Sequence, residues 1–452
     1  MVAAMYGLKN RPAGSVSVTG SNQVMLVGDK SPSNTGHMGT ILQENDRIVV
    51  KEGVYSDDLP KLCAALDRAI GQETGLRIAL DFSGCPAIFQ SVMLPLIPMV
   101  VRYRESQRIG FDLIEPQDEV LRRLFLNANW AHHIDPEKHA PNTYPHGHVP
   151  ALRFHGDGTN GQEAILERVL ELILGTLDTT RDTLKAVEWS LGEIMDNVPL
   201  HAGSPVGGFV QATAYSSSNA VEFVVADAGI GIPASMGRED DLAALRDAIT
   251  EGVTRDVQRN AGNGLFGSYQ VAVLSGGEFE IRSNRGILRR ADTSKLEVSK
   301  AMAPYMGTTV RCRVGLDDAG LLERALRFKG RAWDPPHDFV EREFESASGI
   351  LVIKMAEKAS RHFGSRKGGR RIRRLIENLL GGRPTVVLDF EGVGVFTSSF
   401  ADEVFGRLFV SMGPRAFMTR IRIRHVNPTV EGLIDRAILQ RTRLGNDGED
   451  QD

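Results

Sequence analysis

Apolar positions in the middle of the chain fall into alternating helical and extended rhythms. Leu184, Val187, Leu191, Ile194, Met195 and Val198 recur at about 3.6-residue spacing, which predicts a helix with one buried face. Residues 221–226 are mostly apolar and rich in β-branched side chains, the signature of a buried strand. Residues 163–174 predict an amphipathic helix ahead of the first, 209–216 a strand, and 265–274 a further helix. Residues 277–284 and 287–290 predict a hairpin turning at Arg285-Gly286. The stretch before residue 264 is long for a bare loop and has a helical middle at 241–249, which predicts a mobile lid.

Strand and helix patterns also alternate on both sides. Strands at 47–51, 76–82 and 108–114 are interleaved with helices at 58–70, 91–105 and 117–126. Later come an apolar run at 350–353, a buried strand at 384–390, a strand at 421–425 and a helix at 429–441. The expected class is α/β (α+β): a central α/β sandwich with a mixed sheet at 161–315, flanked by α/β domains at 46–135 and 337–443. Residues 1–45, rich in Gly, Ser and Asn, predict a flexible segment with one short strand at 23–27. Residues 136–160 and 316–336 predict linkers, and 444–452 a frayed acidic tail. His132, His133, His139, His146, His148 and His155 crowd the first linker region. Histidine clusters can bind metal. No Asp or Glu constellation accompanies these rings, so a connection without metal is expected.

Three motifs carry candidate chemistry. Glu193 and Asn197, four apart, share a helix face distinct from the apolar one. A carboxamide oxygen there can ligate a hard cation such as Mg2+, and a carboxylate can take a proton from an attacking water or hydroxyl. Asp227 ends the apolar strand, and Gly229 and Gly231 let the backbone turn and approach a ligand. An acceptor-only side chain in that place can bind an exocyclic amino group such as that of adenine. Gly262 and Gly264 precede a helix at Leu265, whose free N–H groups suit phosphate oxygens. An ordinary polar helix face, an Asp-Gly turn and a helix start are the competing readings when each motif is taken alone.

Taken in order, Glu193-Ile194-Met195-Asp196-Asn197, Asp227-Ala228-Gly229-Ile230-Gly231, Gly262-Asn263-Gly264-Leu265 and Gly307-Thr308-Thr309 resemble the four boxes of the GHKL superfamily of gyrase, histidine kinases and MutL. The resemblance spans about 161–315 and implies bound ATP and Mg2+. It implies Asn197 as a Mg2+ ligand, Glu193 as the base and Asp227 as the reader of the adenine amino group. Gly229, Gly231, Gly262, Gly264 and Leu265 would shape the nucleotide site, and Thr308 would support the base through water. Val198, Pro199 and Phe266 depart from the family pattern. Pro199 should end or kink the helix early.

The flanks resemble STAS domains, the fold of anti-anti-sigma factors. The first rests on Asp81-Phe82-Ser83-Gly84-Cys85-Pro86, and the second on Val386-Val387-Leu388-Asp389 with Thr397-Ser398-Ser399-Phe400-Ala401. Asp389 aligns with Asp81 and Ser398 with Gln90, so only the second flank keeps hydroxyls where regulated STAS domains are phosphorylated. Ser398 and Ser399 are the regulatory candidates, with a plain N-cap as the alternative.

The whole chain has 452 residues, a net charge of −4 and three cysteines, Cys63, Cys85 and Cys312. The charge implies no bulk attraction to nucleic acid or membrane. The scattered cysteines fit a reducing, cytoplasmic setting, and no apolar run is long enough to span a bilayer. Arg361, Arg366, Lys367, Arg370, Arg371, Arg373 and Arg374 form a basic run, either a solvated helix face or a nucleic-acid contact. Three functions compete. One is an ATP-controlled signalling switch whose STAS-like ends engage a protein partner. Another is a serine/threonine kinase of the anti-sigma-factor type. The third is an ATPase clamp on nucleic acid, as in phage defence. A homodimer is compatible with each.

Overall fold

The computed structural model describes residues 40–72, 77–142, 148–155, 161–252, 264–291, 295–328, 330–332, 335, 338–346, 348–359, 363–382 and 385–446. The strand expected at 23–27 lies outside them. The protein is mixed α/β, with several sheets.

The N-terminal unit runs β1 (Ile41–Glu44), β2 (Arg47–Val50), α1 (Leu59–Gln72), β3 (Arg77–Asp81), α2 (Gln90–Gln107), β4 (Gly110–Ile114), α3 (Glu119–Asn127) and α4 (Trp130–Ile134). Its sheet order is β1-β2-β3-β4, with β1 antiparallel and the rest parallel. Helical crossovers return the chain to the starting edge, which makes successive strands parallel. β1 lies within the stretch expected to be flexible, because it pairs in full register with β2, Ile41 opposite Val50.

The central unit runs β5 (His148–Phe154), α5 (Gln162–Thr176), α6 (Arg181–Asn197), β6 (Gly208–Tyr215), β7 (Ala220–Asp227), α7 (Gly231–Met236), α8 (Asp241–Ala248), α9 (Gly264–Leu274), β8 (Glu278–Ala291) and β9 (Glu297–Gly315). The sheet order is β5-β6-β7-β9-β8. Every pairing is antiparallel, which corrects the mixed sheet expected. Two helices between β5 and β6 bring the chain back to the end it left, so β6 must run opposite to β5. The expected hairpin at Arg285-Gly286 is also corrected. β8 passes straight through it, with register shifts around Asn284, and its hairpin partner is β9. A side chain at Gly286 would meet Leu245 of α8 at 2.7 Å, so this glycine serves a close approach rather than a turn.

β5 falls inside the expected linker and corrects it. Its Val149, Ala151 and Phe154 are buried. The histidines around it bind backbone: His133 Nε2 lies 3.0 Å from Ala151 O, His132 Nδ1 2.8 Å from His139 O and His148 Nε2 3.2 Å from Asn127 O. His146 lies outside the described residues.

A connector with α10 (Leu321–Ala325) and the ribbon β10 (Arg327–Phe328) and β11 (Arg331–Ala332) leads to the C-terminal unit. That unit comprises α11 (Phe339–Glu343), β12 (Leu351–Lys354), α12 (Met355–Ala359), α13 (Arg366–Gly382), β13 (Val386–Asp389), α14 (Ser398–Ala401), α15 (Arg407–Met412), α16 (Pro414–Arg420), β14 (Ile421–Arg424) and α17 (Pro428–Asn446). β12, β13 and β14 form a parallel sheet.

The central unit is covered on both sides. Phe209, Val224, Ala226 and Tyr305 share one core with the N-terminal helices, and the helices α5 and α6 share another with the C-terminal unit. Each fully buried large aliphatic or aromatic side chain contributes roughly 1.5–3 kcal/mol. Polar ties set the docking. Gln90 meets Glu222, and Asp57 meets Arg289 at 2.7 Å and Arg282 at 3.3 Å. On the other side Arg181 binds Asp338 at 2.6 Å, and Asn378 Nδ2 donates to the carbonyls of Leu174 and Leu177.

Candidate functional site

Thr180 starts α6 by accepting from Thr183 N through its hydroxyl, at 3.2 Å. The helix ends at Asn197, where Pro199 cannot continue the bonding. The chain then makes one wide π turn, Val198–Ala202, as the early ending expected from Pro199 requires. That turn joins two clusters. Upstream stand Glu193 and Asn197, half-buried near the helix end. Downstream, Ala202 O accepts from Ile230 N at 2.8 Å, which fastens the turn to the glycine segment after β7.

Glu193 faces the start of α9. A Cβ at Gly264 would lie 2.5 Å from Glu193 Oε2, so any other residue there would displace the carboxylate. The two helices approach this closely because Trp189 packs over Gly267, where a Cβ would come within 2.3 Å of the indole. Leu265 packs against the core beside them. Gly262 lies outside the described residues. Burial raises the Glu193 carboxyl above the ordinary carboxylate range, and the neighbouring Asp196 adds to it. Asn197 Nδ2 is buried and has no hydrogen-bond partner among the described residues. A buried amide with an unused end is costly unless something binds it, and its N and O ends exchange by a simple rotation. The residue therefore suits a hard cation through oxygen.

Asp227 ends β7, a strand buried along its whole length. Its Oδ1 accepts from Gly229 N at 2.8 Å and from Thr308 N at 3.3 Å. Both bonds fall on one oxygen, which leaves Oδ2 to accept from a ligand. Burial pushes this carboxyl up to about 7, against the opposing pull of the two N–H groups. The backbone around it is tightly packed. A Cβ at Gly229 would lie 2.1 Å from Ala202 O, and one at Gly307, whose φ is +110°, would lie 2.1 Å from Asp227 O. Gly231, φ +79°, sits against Ser283.

Glu193 and Gly264 are thus brought together, as are Asp227, Gly229 and Thr308, and the π turn links the groups. Ser283 was not foreseen. Its hydroxyl donates to Gly307 O at 2.9 Å, accepts from Ile232 N at 2.8 Å and lies 3.2 Å from Thr308 Oγ1. Only the pairing of Ser283 with Thr308 across β8 and β9 brings it here, and no local pattern announces that register. The expected lid is partly tied down. Asp241 of α8 accepts from Asn284 Nδ2 at 2.9 Å and Arg285 N at 3.2 Å. Residues 253–263 lie outside the described residues.

The flanking candidates separate. Gln90 is buried. Ser398 and Ser399 are exposed, and neither caps the helix. Thr397 is the cap, its Oγ1 accepting from Phe400 N at 3.3 Å, which corrects the expected serine N-cap. Most of the basic run is engaged within the chain. Arg373 meets Glu377 at 2.7 Å and Glu403 at 3.2 Å, Arg370 meets Glu403 at 3.6 Å, and Arg374 donates to Thr176 O at 3.3 Å. Arg361 lies outside the described residues. Asp389, Glu391 and His425 group closely enough to hold an ion. However, Asp389 already binds Arg424 at 2.8 Å and His425 at 2.8 Å. Among the described residues, no helix is long and apolar enough to cross a membrane.

A family model for a STAS-like domain of unknown function (DUF4325) matches residues 368–431, from α13 into the start of α17. A comparison with curated proteins gives no match.

Proposed function

We propose that this chain is a nucleotide-controlled signalling protein. Its central unit binds Mg-ATP in the manner of GHKL proteins, and its STAS-like ends, the C-terminal one and a second at the N-terminus, carry the nucleotide state to a protein partner. The carrying observation is Asp227, buried at a strand end with Oδ1 fixed by two backbone N–H groups and Oδ2 left to accept. Such an acceptor matches the exocyclic amine of adenine and opposes the carbonyl that guanine presents in its place. Asn197 would hold Mg2+, which would neutralise phosphate charge when bound. Glu193, whose carboxyl burial holds above the ordinary carboxylate range, would be the proton acceptor. Slow hydrolysis and a homodimer both fit this reading.

Calorimetry tests it directly. ATP should bind in a Mg2+-dependent way and GTP at least about tenfold more weakly, since a hydrogen-bonding site rejects a mismatched edge strongly. Equal affinity for the two, or none for ATP, overturns the reading.

A second reading, a serine/threonine kinase acting on a STAS hydroxyl, is favoured by the exposure of Ser398 and Ser399 in the first turn of a helix already capped by Thr397. The nucleic-acid clamp has less support, because the basic run is largely spent on Glu171, Glu377, Asp402 and Glu403.

A further inference from the structure

The N-terminal unit reaches the candidate base-recognition turn itself. Arg102, near the end of α2, donates through NH1 to Ala228 O at 2.7 Å. The hydroxyl of Tyr305 lies 3.0 Å from Asp227 O and 3.1 Å from Pro95 O of the same helix. Ala228 and Tyr305 are both buried. One hydroxyl carries one proton, so these two carbonyls share it. The Asp227 segment is thus held twice. Gly229 and Thr308 fix its carboxylate, and α2 with Tyr305 fixes the carbonyls of residues 227 and 228.

We propose that Arg102 and Tyr305 are positioning residues that couple the docking of the N-terminal unit to nucleotide occupancy of the central site. The inference rests on the nucleotide reading above and adds its regulation. If the bound nucleotide needs Asp227 in its observed place, and α2 helps to hold it there, then each event favours the other. Linkage makes the effect reciprocal: nucleotide tightens docking by the factor that docking tightens nucleotide binding. A protein partner that competes for the sheet-facing side of α2 would then eject nucleotide without touching the pocket. Gln90 sits at the other end of this helix, where it ties the helix start to Glu222 and Thr213.

The test uses the full chain. Mg-ATP affinity is measured for wild type, Arg102→Ala, Arg102→Lys and Tyr305→Phe, together with amide hydrogen exchange across α2 with and without nucleotide. Coupling predicts about 5- to 10-fold weaker binding in Arg102→Ala and Tyr305→Phe, within the usual range for coupled sites. Arg102→Lys should recover part of the loss. Nucleotide should slow exchange in α2 of the wild type and do so less in Arg102→Ala. Tyr305→Phe keeps the ring and its packing, so it remains informative if Arg102→Ala folds poorly. Wild type that binds Mg-ATP, with both variants within twofold of it and α2 exchange indifferent to nucleotide, overturns the coupling alone. Wild type that binds no Mg-ATP overturns the nucleotide reading and this inference with it.

Discussion

Gln90 donates through Nε2 to Glu222 Oε1 at 2.6 Å, across an interface between residues 132 positions apart in sequence. Its own Oε1 accepts from Thr213 Oγ1 at 2.9 Å, and the other oxygen of Glu222 is taken by Arg311 at 2.9 Å. Gln90 is therefore a docking contact between the N-terminal unit and the central sheet. Gln90→Glu would set one buried carboxylate against another. The expected loss is about 3 kcal/mol, the scale of an uncompensated buried charge. A drop in Tm that is largely recovered at acid pH, where one carboxyl regains a proton, supports this. An unchanged Tm at neutral pH contradicts it.

Asp227 is expected to trade stability for recognition. Its folded-state pKa is raised to about 7, so the stabilisation it supplies is complete below the unfolded carboxylate pKa and is lost as pH rises through about 7. Asp227→Asn removes that loss and keeps an oxygen for Gly229 and Thr308. Tm should therefore rise at about pH 8, by the equivalent of at most about 4 kcal/mol. The gain should shrink as pH falls. Mg-ATP binding should weaken in the variant at every pH and, in the wild type, as pH drops below about 7. Thermal melts and calorimetry across pH check both halves.

Glu193 separates binding from chemistry. If it is the general base, Glu193→Gln should keep Mg-ATP affinity and lower turnover by about 10²- to 10⁴-fold. Asp196 raises the pKa of Glu193, so Asp196→Asn should lower it and move the acid limb of the rate profile to lower pH. A limb that stays in place in Asp196→Asn assigns it to another group.

Thr397 and Ser398 should part in denaturant. Thr397→Ala removes the cap and should cost about 1 kcal/mol. Ser398→Ala should stay within about 0.5 kcal/mol, as for exposed positions away from special features. Urea curves resolve the difference. If the kinase reading holds, intact mass after incubation with Mg-ATP rises by one phosphate and fails to do so when both Ser398 and Ser399 are changed to Ala.

Local rhythm carried much of the fold. The strand around Val221–Val225 and the helix through Leu184 and Leu191 stand where their periodicity places them, because burial of one face decides both. The failures lay where long-range pairing overrides local signals. Arg285-Gly286 has turn composition, yet β9 pairs along the whole of β8 and the glycine admits Leu245 instead. His148–Phe154 reads as linker because the prolines and histidines in and around it hide a strand whose partner lies beyond two helices. In the candidate site, the motif glycines and carboxylates were visible. Ser283, Tyr305 and Arg102 were not, since each reaches Asp227 or its loop from another element or unit.

The double covering of the central unit bears on how the protein can be cut and recombined. Excising 148–315 would strip Phe209, Val224 and Tyr305 of the N-terminal helices on one side. On the other it would open the core that Leu174 and Leu184 share with Val340, Leu351 and Leu379. Both exposed surfaces would be broad and apolar, the kind that drive aggregation. The unit is a keystone rather than a bead on a string: it can be transplanted only with both neighbours, and a cloning boundary drawn at either edge would yield an insoluble sheet instead of a smaller stable domain.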